Sequence, residues 1–367
     1  MDNTTKKLET SLETKKISID FINSIIESTI PVVFPIIGDF VIDRYAYCKL
    51  ERKNLEHDSL IYDLVMTTSQ YGGAANVANI IGTFTNRCNY KEVYFFMGCG
   101  ENDIKVLKRH GMLDPETFSL KTYVDSTYYE VIPVKTRYIS TNRDEYLHRV
   151  DVEPNRAVFP KFENKISLKM TKDICDMTGD SIFISDYNKG FISNEFLDML
   201  NDNCDIRYRY SNIRPKKIKN YVGKVSFLSF NKIEFLQSYN TIFNLQEEMI
   251  SDDMLISFKN HMGIDSMIIT FGHHGFIYYD SDNRCIKIEP FKNLNIGSKN
   301  IIGAGDMVSA SFSFFDTMNR KLFDNKYKMD IILYIVNCCA FLKVYTGEYT
   351  VSLDLLLKYI EGKLFLL

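Results

Sequence analysis

The chain reads as a large α/β domain whose mainly parallel central sheet is covered by helices and carries a small β lid. Strand-like apolar runs alternate with helical patterns along most of the length, the signature of βαβ units. Two stretches, Tyr45 to Thr68 and Tyr128 to Asp151, break that rhythm and alternate polar with apolar residues, as a small sheet with one wet face does. A length of 367 residues at 45% hydrophobic composition suffices to bury one large core with a small appendage.

Taken in order, residues 1–30 form a polar, helical extension to which the sequence assigns no role. Val32 to Ile37 is the first buried strand, Ala74 to Phe84 a helix, and Val93 to Met97 a second strand followed by a helix through Lys105 to His110. Later strands are expected at Ser181 to Ser185, Ile206 to Tyr210, Val225 to Leu228 and Met267 to Thr270. Helices are expected at Phe196 to Leu200, Asp252 to His261, Asp306 to Met318 and Met329 to Val344. The main domain spans 31–355, with lid strands within 45–70 and 128–151, and 356–367 is a C-terminal tail.

Charge and composition exclude several functions. A net charge of −3 over 44 basic and 47 acidic residues offers no basic stripe for nucleic acid, which leaves a small-molecule ligand. The polar start Met1 to Lys7 leads into no apolar signal core, and the runs Ile331 to Val336 and Cys338 to Leu342 are too short to span a bilayer, so no membrane partner and a cytoplasmic location are expected. None of the eight cysteines is spaced C-x-x-C, and Cys338-Cys339 are adjacent within a buried helix. Neither metal nor disulfide use is expected; Cys48, Cys99 and Cys285 read as small buried hydrophobes and His273-His274 as loop residues.

Five segments could carry chemistry. Gly303-Ala304-Gly305-Asp306 puts three small residues and a carboxylate at the mouth of an apolar helix, where peptide N–H groups favour a phosphate and Asp306 could take a proton from a hydroxyl. A glycine-rich turn entering a buried helix has the same sequence. Asp39 and Asp43 follow the first strand, at the sheet edge where open α/β folds bind ligands, and carboxylates accept from sugar hydroxyls; a polar turn explains them equally. Gly72-Gly73 opens a helix with Asn76 in its first turn, suiting either close approach to a ligand or a plain glycine cap. Asn231 and Glu234 share a helical face and could hold a hydrated Mg²⁺, though N-x-x-E also arises by chance. Thr270, Gly272 and Gly275 could wrap donors around nucleotide phosphates or simply make a hairpin.

In order and spacing, G-D-x-x-x-D, G-G-x-x-N, N-x-x-E, T-x-G-x-x-G and G-A-G-D together resemble the ribokinase (PfkB) family of carbohydrate kinases, over roughly Val32 to Ser352. Within that family the segments Gly38 to Tyr45 and Gly72 to Ala78, with Arg52, Glu56, Leu147 to Asp151, Ser185 to Gly190 and Tyr345 to Ser352, are most similar to kinases of D-glycero-D-manno-heptose 7-phosphate. The resemblance implies a ribokinase-like three-layer α/β/α domain that uses ATP and Mg²⁺ to phosphorylate a sugar or sugar phosphate. It makes Asp306 the catalytic base and Gly303, Ala304 and Gly305 the anion hole. Asp39, Asp43, Gly72, Gly73, Asn76 and Lys189 become substrate contacts. Asn231 and Glu234 would serve Mg²⁺ indirectly, and with Thr270, Gly272 and Gly275 the nucleotide. The lid would join two subunits, and no room is expected for the adenylyltransferase domain that some such kinases carry.

Departures from the family pattern fall at named places. Asn300 stands for an acidic residue and Ile302 for a threonine before G-A-G-D, and Arg214-Pro215-Lys216 stands where heptose kinases tend to show Asp-Pro-Lys. Two other readings therefore stand beside the first: a kinase of another small alcohol, such as fructose, a nucleoside or a vitamin precursor, and a decayed kinase-fold binding or scaffold protein.

Overall fold

The computed structural model describes all residues except 1–4, 8–10, 55–56, 58, 90, 142–144, 154–163, 178, 292–301 and 364–367, so Asn300 and Glu56 lie outside the described residues. Among the described residues a ten-stranded sheet runs in the order Thr5–Lys7 (β1), Cys285–Ile288 (β14), Phe276–Tyr279 (β13), Ser266–Thr270 (β12), Phe227–Asn231 (β11), Tyr208–Ile213 (β10), Ser181–Asp186 (β9), Val32–Gly38 (β2), Lys91–Cys99 (β5) and Ser119–Val124 (β6). From β6 to β12 every pair is parallel; β13 and β14 then turn back as antiparallel hairpins. Ser181–Asp186 is buried throughout, as a parallel strand with both faces covered must be.

A second, four-stranded sheet has the order Leu60–Gly73 (β4), Phe40–Lys53 (β3), Val134–Ser140 (β7) and Glu145–Val152 (β8). This is the expected lid, with one refinement: β3 starts at Phe40, inside the core, and leaves it only beyond Cys48. The helices are Leu12–Glu27 (α1), Ala74–Thr85 (α2), Asp103–Arg109 (α3), Asn164–Met177 (α4), Asn194–Asn203 (α5), Lys232–Phe243 (α6), Asp252–Met262 (α7), Ala304–Phe323 (α8), Met329–Thr346 (α9) and Leu353–Ile360 (α10).

Three expectations need correction. The terminal segments are not appendages: α1 buries Phe21, Ile22 and Ile25 and packs on α9 and α10, while α10 buries Leu356 and Ile360. The two apolar runs near the end form one continuous 18-residue helix, α9, long and apolar enough to cross a bilayer. Ile332 to Val336 are nevertheless buried against neighbouring helices, so the fold itself consumes this apolar surface. A disulfide joins Cys175 in α4 to Cys204 at the end of α5, their Cα atoms 5.2 Å apart, against the expectation of none. The pairing depends on how two helices pack and has no local spacing signal. Cys48, Cys99 and Cys285 are buried as expected.

Candidate active site

The carboxyl ends of β2, β9, β10, β11 and β12 open on one edge of the large sheet, the usual ligand position in open α/β folds. There the mouth of α8 and the lid enclose a cavity of about 280 Å³. Gly303 turns the chain into α8 at φ +80°, a conformation open to glycine, and Met307 to Phe315 then anchor the helix in the core. The first-turn N–H groups have no intrahelical acceptors and carry the positive end of the helix dipole. Gly303 and Gly305 line the cavity, and a Cβ on Gly305 would meet nothing within 4 Å.

Asp306 is the best-bracketed group here. Its Oδ2 accepts from Asn76 Nδ2 at 2.8 Å and its Oδ1 from the Tyr187 hydroxyl at 3.0 Å. Burial pushes its pKa above the ordinary carboxylate range, while the two hydrogen bonds and the charge of Arg214 hold it down. Asn76 arrives through Gly73, whose φ of +60° starts α2. Asn76 Oδ1 and Asn212 Oδ1 are buried in side chains that line the cavity and accept no hydrogen bond among the described residues. Buried acceptors without donors are rare, and two beside a carboxylate favour a ligand rich in hydroxyls.

The lid supplies cations. Asp43 on β3 is ion-paired with Arg137 on β7, with side chains 18% and 10% exposed, and Arg137 lies over the Tyr45 ring at 5.5 Å. Gly72, on the neighbouring strand, leaves room for the Asp43 carboxylate, which a Cβ there would strike. Lys135 and Arg149 also line the cavity, Arg149 held by two 2.6 Å hydrogen bonds to Asp151.

On the opposite side, Asn231 and Glu234 form a capping box at the start of α6: Asn231 Oδ1 accepts from the Glu234 N–H at 2.9 Å and Glu234 Oε2 from the Asn231 N–H at 3.0 Å. Glu234 Oε1 is ion-paired with Arg214. Asn231, Glu234 and Thr270 also line a second, mostly apolar cavity of about 820 Å³ that includes Ile233, Leu255, Phe271 and Gly272. The two cavities share this wall.

Most motif residues therefore converge: Asp43, Gly73, Asn76, Asn231, Glu234, Thr270, Gly303, Gly305 and Asp306 line the first cavity. Others do not. Asp39 is 3% exposed, off the cavity wall, and accepts the Lys189 backbone N–H at 3.1 Å, so it braces the loop after β9. Burial, with Asp186 beside it, raises its pKa to about 7. The Lys189 side chain pairs with Glu153 instead of facing the cavity. Gly72 and Ala304 stand outside the wall, Gly272 reaches only the second cavity, and Gly275, at φ +84°, is the tight hairpin position against Ile288. As they stand, Asn231 and Glu234 are poorly suited to magnesium: their oxygens are engaged by the capping box and by Arg214, whose positive charge opposes a second cation there.

Sequence reasoning assigned no role to Tyr187, Lys135, Arg137, Arg149 or Asn212. The signal for two of these was present, since Lys135 and Arg137 are two apart and share one strand face. Lys343, 2% exposed on the last turn of α9, was also missed; burial lowers its pKa to about 8, and its ammonium lies 5.2 Å from the Tyr349 ring centroid.

The fold is the ribokinase-like one, and the cavity at the mouth of α8 is lined by residues from each of the motifs by which the sequence resembles that family. The phosphofructokinase-2 from Escherichia coli in complex with fructose-6-phosphate matches with a TM-score of 0.64 at 14% identity, over 91% of this chain and 99% of that one. The Arabidopsis thaliana ribokinase complexed with ribose and ATP matches with a TM-score of 0.60 at 12% identity, over 90% and 99%. In sequence, the chain is 25% identical over 281 residues to the bifunctional protein HldE of Sulfurimonas denitrificans, covering 76% of this chain and 55% of that protein. It is 30% identical over 166 residues to the HldE protein of Helicobacter pylori strain 26695, covering 44% and 32%. The matched part thus spans about half or less of the length of these relatives. No model of a known protein family matches the chain.

Proposed function

We propose that the chain is an ATP-dependent kinase that transfers the γ-phosphoryl group to a hydroxyl of a phosphorylated sugar, with heptose 7-phosphate the first candidate. The observation that carries this reading is Asp306, hydrogen-bonded by Asn76 and Tyr187 beside the open N–H groups of the α8 mouth. The acceptor hydroxyl attacks the γ-phosphorus and gives its proton to Asp306; the bond from γ-phosphorus to the bridging oxygen breaks, and ADP leaves with that electron pair. The helix mouth stabilises the charge of the moving phosphoryl group. Asn76 and Asn212 would accept from the sugar, and the triphosphate would run along Thr270 and Asn231 from a base seated in the second cavity. Magnesium carries no step in this reading.

Lys135 and Arg149 on the lid, with Arg137, support an anionic acceptor, and the likeness to the HldE proteins supports a heptose among such acceptors. Exposed Leu64, Val65 and Met66 on β4 support pairing of two lids into a homodimer. The test is ATP consumption with heptose 7-phosphate, unphosphorylated hexoses and nucleosides. The expected result is a kcat/KM for the phosphorylated sugar about tenfold or more above the rest, the worth of one charge-assisted contact. Equal rates across the panel overturn the acceptor assignment. Nucleotide binding without turnover on any acceptor favours the decayed-kinase reading, which rests on the engagement of Glu234 by Arg214.

A further inference from the structure

The wall between the two cavities has an unusual charge arrangement. Arg214 follows directly on β10, and its backbone N–H is held by the Asp186 carbonyl at 3.0 Å. Its side chain is 40% exposed and lines the first cavity. The guanidinium carbon lies 4.4 Å from the Tyr187 ring centroid, and Tyr187 in turn donates to Asp306. The same guanidinium pairs with Glu234, which the capping box already holds in place through its other oxygen. Arg214 is therefore positioned from two sides, by a ring face and by a fixed carboxylate, in the first cavity beside the wall that Glu234 shares with the second. A guanidinium has five N–H donors, and the Glu234 pair leaves several of them free for another anion.

Consider what a triphosphate meets at that wall. Without Arg214, its negative charge would pass a Glu234 carboxylate that has lost its ion-pair partner. The side-chain oxygens of Asn231 and Glu234 are already engaged by the capping box and by Arg214, whose charge opposes a cation beside them. With Arg214 the carboxylate is neutralised, and planar donors face the phosphates instead. We infer that Arg214 is a phosphate-binding residue of the transfer site, gripping the β- and γ-phosphoryl oxygens from the wall shared by the two cavities, so that this chain binds nucleoside triphosphate with little need of magnesium. The inference rests on the kinase reading above and assigns it a residue.

The experiment is calorimetric titration of the full chain with β,γ-methylene-ATP and with adenosine, each in excess EDTA and in excess magnesium. The wild type is expected to bind the analogue nearly as well in EDTA as in magnesium, within about threefold. Arg214→Gln is expected to lose about tenfold or more of the EDTA affinity, as befits a charge-assisted hydrogen bond, and to recover part of it in magnesium. Glu234→Gln is expected to move the EDTA affinity in the opposite direction, since it releases the guanidinium and removes a like charge from the path. Adenosine should bind the wild type and Arg214→Gln alike, which shows that this variant folds and keeps the base cavity, whose wall Arg214 does not line. Analogue binding by the wild type only in magnesium overturns the inference, as does an EDTA affinity that Arg214→Gln leaves unchanged; in either case the kinase reading stands. Failure of the wild type to bind adenosine or the analogue under both conditions overturns the kinase reading and the inference with it.

Discussion

Two arginine–carboxylate pairs face each other across the cavity, and they are not equivalent. On the lid side Arg137 and Asp43 are 10% and 18% exposed, clamped between adjacent strands with a tyrosine ring beside the guanidinium. On the other side Arg214 is 40% exposed, and its partner Glu234 is held by its own helix cap. The first pair is part of the structure: each charge needs the other because water is nearly excluded. The second has a partner that would stay put without it, so its guanidinium can serve another anion at small cost. Similar residues thus define the shape of the lid half of the cavity and the charge of the other half.

The residue between these halves gives the largest expected effect. Asp306→Asn keeps the size of the side chain and an oxygen to accept from Tyr187, but it removes the proton acceptor. Turnover should fall by about 10² to 10⁴, the usual contribution of a positioned base, while the affinity for β,γ-methylene-ATP stays near that of the wild type. Unchanged turnover would show that neither half delivers its ligand to this carboxylate. A loss of nucleotide affinity as large as the loss of rate would show that Asp306 acts in nucleotide binding rather than in proton transfer.

The pairs themselves can be set against one another by urea unfolding. Arg137→Met leaves Asp43 nearly buried without its cation and should cost roughly 3 kcal/mol, as broken buried pairs do. Arg214→Gln should cost less than about 1 kcal/mol, the range of solvent-exposed pairs. Equal losses would erase the distinction between a structural clamp and a free guanidinium.

How far this was legible in the sequence follows the same division. Groups that act through their own backbone neighbourhood were readable: G-A-G-D at the helix mouth and G-G-x-x-N before α2 both meet at Asp306, because small residues and the polar residue of a first turn carry their geometry with them. Groups whose meaning depends on a distant strand were not. N-x-x-E reads equally as oxygen ligands or as a capping box, and the deciding residue, Arg214, comes from the end of a different strand. Asp39 sits at the expected sheet edge, yet the loop after β9 folds back and donates to it, which no local pattern announces. The alternation of lid residues marked the small sheet and put Lys135 and Arg137 on one face, but that this face meets the cavity follows only once β7 is docked beside β3. The closeness of Cys175 and Cys204 likewise exists only after two helices pack.

A pH-dependent effect lies beneath both halves, where two buried carboxylates stand side by side. Asp39 and Asp186 are nearly fully buried, and burial together with the neighbouring Asp186 raises the pKa of Asp39 to about 7. An unfolded chain releases that proton near pH 4, so between there and neutrality the native state binds more protons than the unfolded one. The sign is then fixed: the stabilisation is complete at acid pH and is lost as the pH rises to about 7, above which the contribution is flat. Asp39→Asn keeps an oxygen to accept from the Lys189 N–H but carries no charge, so its stability should not show this decline. Relative to the wild type it should gain at least about 1 kcal/mol on going from pH 5 to pH 8, since one unit of pKa shift corresponds to about 1.4 kcal/mol. Urea midpoints at the two pH values read the difference directly. Parallel pH profiles for variant and wild type would mean that Asp39 is ionised throughout that range, and that this pair too is balanced by a cation, as Asp43 and Glu234 are.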